Sequence, residues 1–353
     1  MKEKITAILE GIVHPETEKG LVSSGIVENI NDSDDGISVT LAFPKSRDPF
    51  INSVKRQAVE QLSAAFPEMA GKISVIVKEG VAKSKSKQPQ KAENVSGTAK
   101  IKKIIAVSSA KGGVGKSTVA ANLAVTFAAM GYKTGILDAD VYGPSQPKML
   151  GLEGFLPEAE EHDDQTYMIP ATAYGVKVMS IGFFIQPEDA LVWRGPMATG
   201  ALKQLIHQTD WGALDLLVID MPPGTGDVHL TLLGEMKVNG AVIVSTPQEV
   251  ALADVVRGIS MFRADHINVP VLGMVENMAW FTPEELPNKK YFIFGREGAA
   301  RLAEKTGVPL LGEIPLIMSA MEGGDSGKPA VTTSSEATKY YERIARAIVN
   351  NLP

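Results

Sequence analysis

"KIIAVSSAKGGVGKSTVAAN", Lys103 to Asn122, joins an apolar run to a glycine-rich turn and then to an alanine-rich segment. The apolar run predicts a buried strand and the alanine-rich segment a helix. Between them, Gly112, Gly113 and Gly115 let backbone N–H groups turn inward around an anion, and the helix N-terminus adds partial positive charge. The loop Ala110, Lys111, Gly112, Gly113, Val114, Gly115, Lys116, Ser117, Thr118 differs from G-x-x-x-x-G-K-[ST] in two respects. Ala110 stands where glycine is usual, which a negative φ accommodates, and Lys111 adds a second lysine. Lys116 is expected against the β- and γ-phosphates of ATP, Ser117 on Mg²⁺ and Thr118 at the α-phosphate. The bland alternative is a glycine-rich turn that happens to precede a helix.

Two other stretches carry chemistry. In "LDLLVIDMPPGTGD" four apolar residues, Leu216 to Ile219, lead into Asp220 at a predicted strand end, where a carboxylate holds Mg²⁺ through water. Gly224 follows at a spacing that lets its N–H sense the γ-phosphate. In "LDADVYGPS" Asp138 and Asp140 end another strand. Either both cap the next segment, or Asp140 orients or deprotonates an attacking water with Asp138 in support.

The chain around these motifs divides in three. Over residues 1–78, Ile5, Ile8, Leu9 and Ile12 recur at helical spacing, and "ISVTLAF" alternates as a half-buried strand does after the turn "NDSDDG". Phe50, Val54, Ala58, Leu62 and Phe66 mark a second helix and "KISVIV" another strand, so a small α+β domain is expected. Residues 79–100, rich in Lys, Ser, Gln and Ala, read as a flexible tether. From 101 to 353 short continuous apolar runs alternate with helical stretches. That pattern predicts an α/β domain with a doubly wound, mainly parallel sheet buried on both faces. Thr333 and Glu336 form a capping box opening a last helix that buries Tyr341, Ile344 and Ile348.

Composition excludes several classes. The 353 residues include no cysteine, which removes disulfides, thiol nucleophiles and zinc fingers. A net charge of −6 argues against nucleic-acid binding by the whole surface. The N-terminus is too charged for a signal peptide, and no apolar run approaches the ~18 residues of a membrane span, so a cytoplasmic, soluble protein is expected. His14, His162, His207, His229 and His266 show no metal-ligand spacing, and Glu284 and Glu285 read as solvated.

"AKGGVGKST", "LDADVYGPSQP", "VWRGPM", "DMPPGTGD", "STPQEVALADV" and "VENMAWF", in this order, resemble the Mrp/ApbC family of P-loop ATPases, related to MinD and ParA. "HPETEKGLVSSGIVENI" is similar to the small Fe–S-assembly-associated domain that precedes many of them. The resemblance implies a homodimer in which Lys111 crosses to the partner's phosphates. It also implies that Asn277 bonds the adenine, with the backbone around Ile314 and Pro315 closing over the base. A role in Fe–S protein assembly follows, with client proteins as partners and neither nucleic acid nor membrane. The family's C-x-x-C after "ENM-x-x-F", which holds an Fe–S cluster between subunits, is missing: "TPEELPNKKYFIFG" occupies Thr282 to Gly295. "FPKSRDPF" likewise lacks a cysteine found in relatives of the small domain. The alternative function is a MinD/ParA-like ATP-dependent switch or scaffold that carries no cluster. Trp193 and Arg194 read equally as a partner surface or a packed turn.

Overall fold

The computed structural model describes residues 2–14, 19–33, 36–43, 50–79, 97–162, 165–184 and 195–353. Trp193, Arg194, most of the 79–100 tether and most of "FPKSRDPF" lie outside these residues. Contacts divide the chain into two units, Met1–Ala92 and Glu93–Pro353.

The small unit holds α1 (Lys2–Glu10), the two-residue strands β1 (Val13–His14) and β2 (Lys19–Gly20), β3 (Val27–Ser33), β4 (Gly36–Phe43), α2 (Ile51–Ala65) and β5 (Ile73–Glu79). β3 and β4 pair antiparallel, and β5 adds in parallel on the other edge of β4. Strict alternation in β4 buries Ile37, Val39 and Leu41 against Ile5 and Leu9 of α1 and Val54, Ala58 and Leu62 of α2. Each of these Val, Leu and Ile side chains contributes about 1.5–3 kcal/mol when withdrawn fully from water.

The large unit runs β6 (Ile101–Ser109), α3 (Lys116–Ala129), β7 (Thr134–Asp138), α4 (Gln146–Met149), β8 (Ala159–His162), β9 (Gln165–Met168), β10 (Ala171–Ala173) and β11 (Val176–Ser180). It continues through α5 (Gly195–Gln208), β12 (Leu214–Pro223), α6 (Asp227–Glu235), β13 (Gly240–Ser245), α7 (Glu249–Arg263), β14 (Val271–Phe281), α8 (Gly298–Thr306), β15 (Leu310–Leu316), α9 (Met318–Asp325), α10 (Ala330–Thr333) and α11 (Ser335–Asn351). Its sheet has the order β10-β11-β7-β12-β6-β13-β14-β15, parallel except for the β10 edge. The connection leaving β6 winds toward β7, whereas the one leaving β12 winds the other way, toward β13. The reversal opens a crevice at the carboxyl ends of β6 and its neighbours, where ligands bind in open α/β sheets.

β7 and β13 are buried along their whole length. α3 is buried on nearly every side, which its small Ala120, Ala121 and Ala124 permit. Residues 97–100 belong to this unit rather than to a free tether, since the Gly97 N–H donates to the His207 carbonyl at 2.9 Å. The last helix is capped one residue later than the capping box predicts. Thr333 closes α10, and the Ser334 hydroxyl accepts from the Ala337 N–H at 3.2 Å. Tyr341, Ile344 and Ile348 are buried.

Candidate functional site

Gly115 precedes the first turn of α3 with φ +80°, and Gly113 has φ +79°. These left-handed turns fold the loop back over the end of β6 at little cost only for glycine. A Cβ on Gly115 would also sit 2.2 Å from the Asn277 amide nitrogen. Ala110 does not adopt a positive φ, so its methyl is accommodated. The Ser109 hydroxyl donates to the Lys111 carbonyl at 2.9 Å, closing the base of the loop. The Lys111 side chain is exposed and has no partner among the described residues.

Strand register brings the acidic groups together. Asp220 of β12 lies directly opposite Asp138 of β7, and on its other side opposite Val107 of β6. Lys116, only 6% exposed, reaches across this line: its ammonium donates to Asp220 Oδ1, lies 3.0 Å from Ser117 Oγ and 3.6 Å from Asp140 Oδ2. A cation therefore already stands between the two oxygens expected to hold Mg²⁺. That set of hard oxygen donors beside a phosphate loop suits the ion.

Asp138 is fully buried and accepts four hydrogen bonds, from the N–H groups of Asp140, Ser145 and Gln146 and from the Ser180 hydroxyl. Burial pushes its carboxyl up to about 7, with the charge of Asp220 adding to the shift and the hydrogen bonds opposing it. Asp140 is raised too, again first by burial, while Lys116 pulls it down.

Gly224 differs from expectation. Its N–H donates to the Ser109 carbonyl at 2.9 Å, so sensing a γ-phosphate requires that bond to be exchanged. Asn277 donates through its amide to the Val114 carbonyl at 2.9 Å, tying β14 to the loop. Beside it a cavity of about 420 Å³ is lined by Gly115, Thr118, Asn277, Met278, Ile314 and Pro315 among others. That volume, opening from the loop, suits a nucleoside. Met278 keeps a positive φ of 57°, a rare conformation for its type and one that gathers at ligand sites.

Sequence reasoning missed Gln146 and Ser180. Gln146 is completely buried, and its amide N–H groups bond Asp220 Oδ2 at 2.8 Å and the Ser117 carbonyl at 3.1 Å. Its Oε1 is left buried without a partner, a state that costs roughly 1–3 kcal/mol. Nothing in the local spacing marks it, because its partners lie 29 and 74 residues away. His229 of α6 is buried near Lys116, and burial holds its imidazole below the ordinary range.

Among the described residues no group of three or more His, Cys, Asp or Glu is arranged to hold a metal ion, and no helix is long and apolar enough to cross a membrane. Asp140 and Asp220 meet around the Lys116 ammonium, with Asp138 beside Asp220 across the strands.

Comparison with known proteins agrees with this geometry. Residues 2–75 match the family model described as "Iron-sulfur cluster assembly protein". The iron-sulfur cluster carrier protein of Synechocystis sp. is 39% identical over 352 residues, covering 99% of this chain and 97% of that one. The iron-sulfur cluster transfer protein NUBPL of Dictyostelium discoideum is 48% identical over 254 residues, 71% of this chain and 77% of that protein. A nucleotide-binding protein from Archaeoglobus fulgidus, solved in complex with ADP, superposes with a TM-score of 0.56 at 41% identity, covering 65% of this chain and 88% of that one. With residues 100–349 matching its model, the chain belongs to the family of NUBPL iron-transfer P-loop NTPases.

Proposed function

We propose that the protein is a Mg²⁺-dependent ATPase that works as a homodimer in Fe–S protein assembly. The observation that carries this reading is the cluster of Lys116, Ser117, Asp138, Asp140 and Asp220 at three adjoining strand ends beneath the glycine loop. The Lys116 ammonium is held by Asp220. With ATP bound, the ammonium would sit against the β- and γ-phosphates, leaving the Ser117 and Asp220 oxygens to the metal. Mg²⁺, held by Ser117 and through water by Asp220, would supply charge neutralisation at the phosphate oxygens.

Asp140 is the base. Burial raises its affinity for a proton, which suits it to accept one from the attacking water. Asp138, pinned by four donors, holds the Asp140 backbone and the turn after it. Asn277 with the backbone at Ile314 and Pro315 receives the adenine. Lys111, exposed and unpaired, supplies charge to the phosphates of a partner subunit, as an arginine finger does.

The cargo is an Fe–S cluster, as the relatives' names state for those proteins. Because this chain has no cysteine, the soft ligands a cluster needs come from a client or a small thiol. The complete absence of cysteine equally favours a second reading, an ATP-driven switch in the same assembly process that never holds the cluster. Anaerobic reconstitution with iron, sulfide and a small thiol, counting iron per dimer with and without ATP, separates the two. Thiol-dependent retention supports carriage on borrowed ligands. No retained iron with intact Mg-ATP hydrolysis leaves the switch, and absence of hydrolysis overturns the ATPase reading itself.

A further inference from the structure

Gln146 touches the site from three sides at once. Its backbone N–H donates to Asp138 Oδ2 at 3.0 Å, and its side-chain amide bonds both Asp220 Oδ2 and the Ser117 carbonyl. The amide orientation is forced. Both of its close neighbours are acceptors, a carboxylate oxygen and a carbonyl oxygen, so the NH₂ end must face them. Oε1 is thereby turned into a buried position with no donor. A buried orphan acceptor is an uncommon arrangement and calls for a reason.

The reason lies in what the two bonds join. Asp220 and Ser117 are the two residues read as metal-binding, on β12 and α3 respectively. Gln146 alone among the described side chains hydrogen-bonds to both residues from a third element, α4. One Asp220 oxygen is occupied by Gln146, and the other accepts from Lys116, whose ammonium also reaches Ser117 Oγ. Holding Oδ2 from behind fixes the carboxylate plane and reserves Oδ1 for the cation side. The bond to the Ser117 carbonyl holds the first turn of α3 at a set distance from β12.

We propose that Gln146 is the positioning residue for divalent-cation binding, setting the Asp220 carboxylate and the Ser117 turn in register before the ion arrives. Outer-shell partners of this type govern metal affinity by about 10- to 100-fold. Gln146 itself does not line the nucleoside cavity, although its neighbours Ser145, Lys148 and Met149 do, so its side chain acts directly only on the groups read as metal-binding. The inference rests on the reading of Asp220 and Ser117 as metal-binding residues.

The test is Mn²⁺ binding to the full-length protein–ADP complex, followed by electron paramagnetic resonance, together with ADP affinity in EDTA. Gln146→Leu should weaken Mn²⁺ binding about 10- to 100-fold while ADP affinity in EDTA stays within about twofold. Gln146→Met, closer in shape and flexible, should lose the same increment and serves if the leucine variant folds poorly. In an Asp220→Asn background, Gln146→Leu should add nothing further, because the two act as one unit. Unchanged Mn²⁺ affinity in both single variants, with Asp220→Asn still weakening it, overturns the role of Gln146 alone. If Asp220→Asn itself leaves Mn²⁺ binding intact, the metal reading beneath the inference fails. Equal losses with and without metal would mark Gln146 as merely structural and overturn the proposal.

Discussion

Three glycines in one loop respond differently to the same added methyl. Gly112 has no positive φ, and a Cβ there meets nothing within 4 Å. Gly113 is equally open but sits at φ +79°, and Gly115 combines φ +80° with a Cβ position 2.2 Å from Asn277 Nδ2. Gly112→Ala should therefore change stability by no more than about 0.5 kcal/mol. Gly113→Ala incurs the left-handed strain alone, about 1–2 kcal/mol. Gly115→Ala adds displacement of the Asn277 amide and loss of its bond to Val114, about 1 kcal/mol more for the bond and a further increment for the repacking, so about 3 kcal/mol in all. The assay is urea denaturation of the nucleotide-free protein followed by tryptophan emission. All three tryptophans, Trp193, Trp211 and Trp280, belong to the large unit, so the signal reports that unit alone. With an m-value of about 3 kcal/mol/M, the midpoint should fall by roughly 0.4 M for Gly113→Ala and roughly 1 M for Gly115→Ala. Gly115→Ala should also lose nucleotide binding through the displaced Asn277. Equal midpoints for these two variants would refute the steric coupling between loop and β14.

Lys111→Ala should abolish ATP hydrolysis yet leave single-subunit nucleotide affinity and the urea midpoint nearly unchanged, since the side chain is exposed and unpaired; wild-type turnover would contradict the in-trans role. Asp140→Ala should lower turnover by about 10²–10⁴-fold, the range for a general base, and unaltered turnover removes that assignment. For Asp138 the folded-state affinity for protons, raised to about 7, exceeds the unfolded one, so folding takes up a proton between about pH 4 and 7. The nucleotide-free large unit should accordingly lose stability as pH rises through that window, and Asp138→Asn should remove that part of the slope. A wild-type midpoint that climbs between pH 5 and 7.5, with Asp138→Asn making no difference, would show the carboxylate to be ionised throughout. Trp280→Leu should destabilise the same unit by roughly 1–3 kcal/mol by removing its contacts with Lys290 and Tyr340, measured by thermal unfolding followed by circular dichroism; an unchanged midpoint denies that the ring pins the neighbouring segment.

The features legible in the sequence were those carried by local pattern. Continuous apolar runs in β7 and β13 mark buried parallel strands because both faces exclude water, and the glycine loop reads directly as backbone geometry. The strand-end position of Asp138 and Asp220 was legible for the same reason, but their alignment across β7 and β12 was not. It depends on a register between strands some 80 residues apart in the chain. The same holds for Gln146, whose polar side chain looks like any loop glutamine until tertiary packing withdraws it from water. The capping box misled by one residue because Thr333 was already engaged in α10, so Ser334 became the first residue free to accept from α11. The bond from the Gly224 N–H to the Ser109 carbonyl was not legible either, because it joins residues far apart in the chain.

The segment that replaces the family's cysteines is closed by bonds of its own. Phe281 and Tyr291 exchange two backbone hydrogen bonds, 2.9 and 2.8 Å, across its base. Within it the Leu286 N–H donates to the Pro283 carbonyl and the Lys289 N–H to the Leu286 carbonyl. The Lys290 ammonium stands 3.5 Å over the Trp280 ring, which meets Tyr340 of α11 edge-on at 6.1 Å. These contacts fasten the turn to β14 and the C-terminal helix without any metal–thiolate link. Leu286, Tyr291, Ile293 and, at the start of α9, Met318 remain exposed around it. The resemblance to the Mrp/ApbC family implies thiols at the corresponding turn, holding a cluster between subunits. Here the same position offers apolar, basic and acidic side chains, Glu284 and Glu285 among them, which can recognise a protein surface but supply none of the soft sulfur ligands that a cluster favours. Nucleotide chemistry and cluster ligation are physically separable on the proposed reading: the cluster of Lys116, Ser117, Asp140 and Asp220 lies at the ends of β6, β7 and β12, whereas the altered segment follows β14. Losing the thiols leaves every group of the phosphate site in place. On the proposed reading, ATP turnover drives a change of state at these strand ends while the cluster is held by ligands from elsewhere.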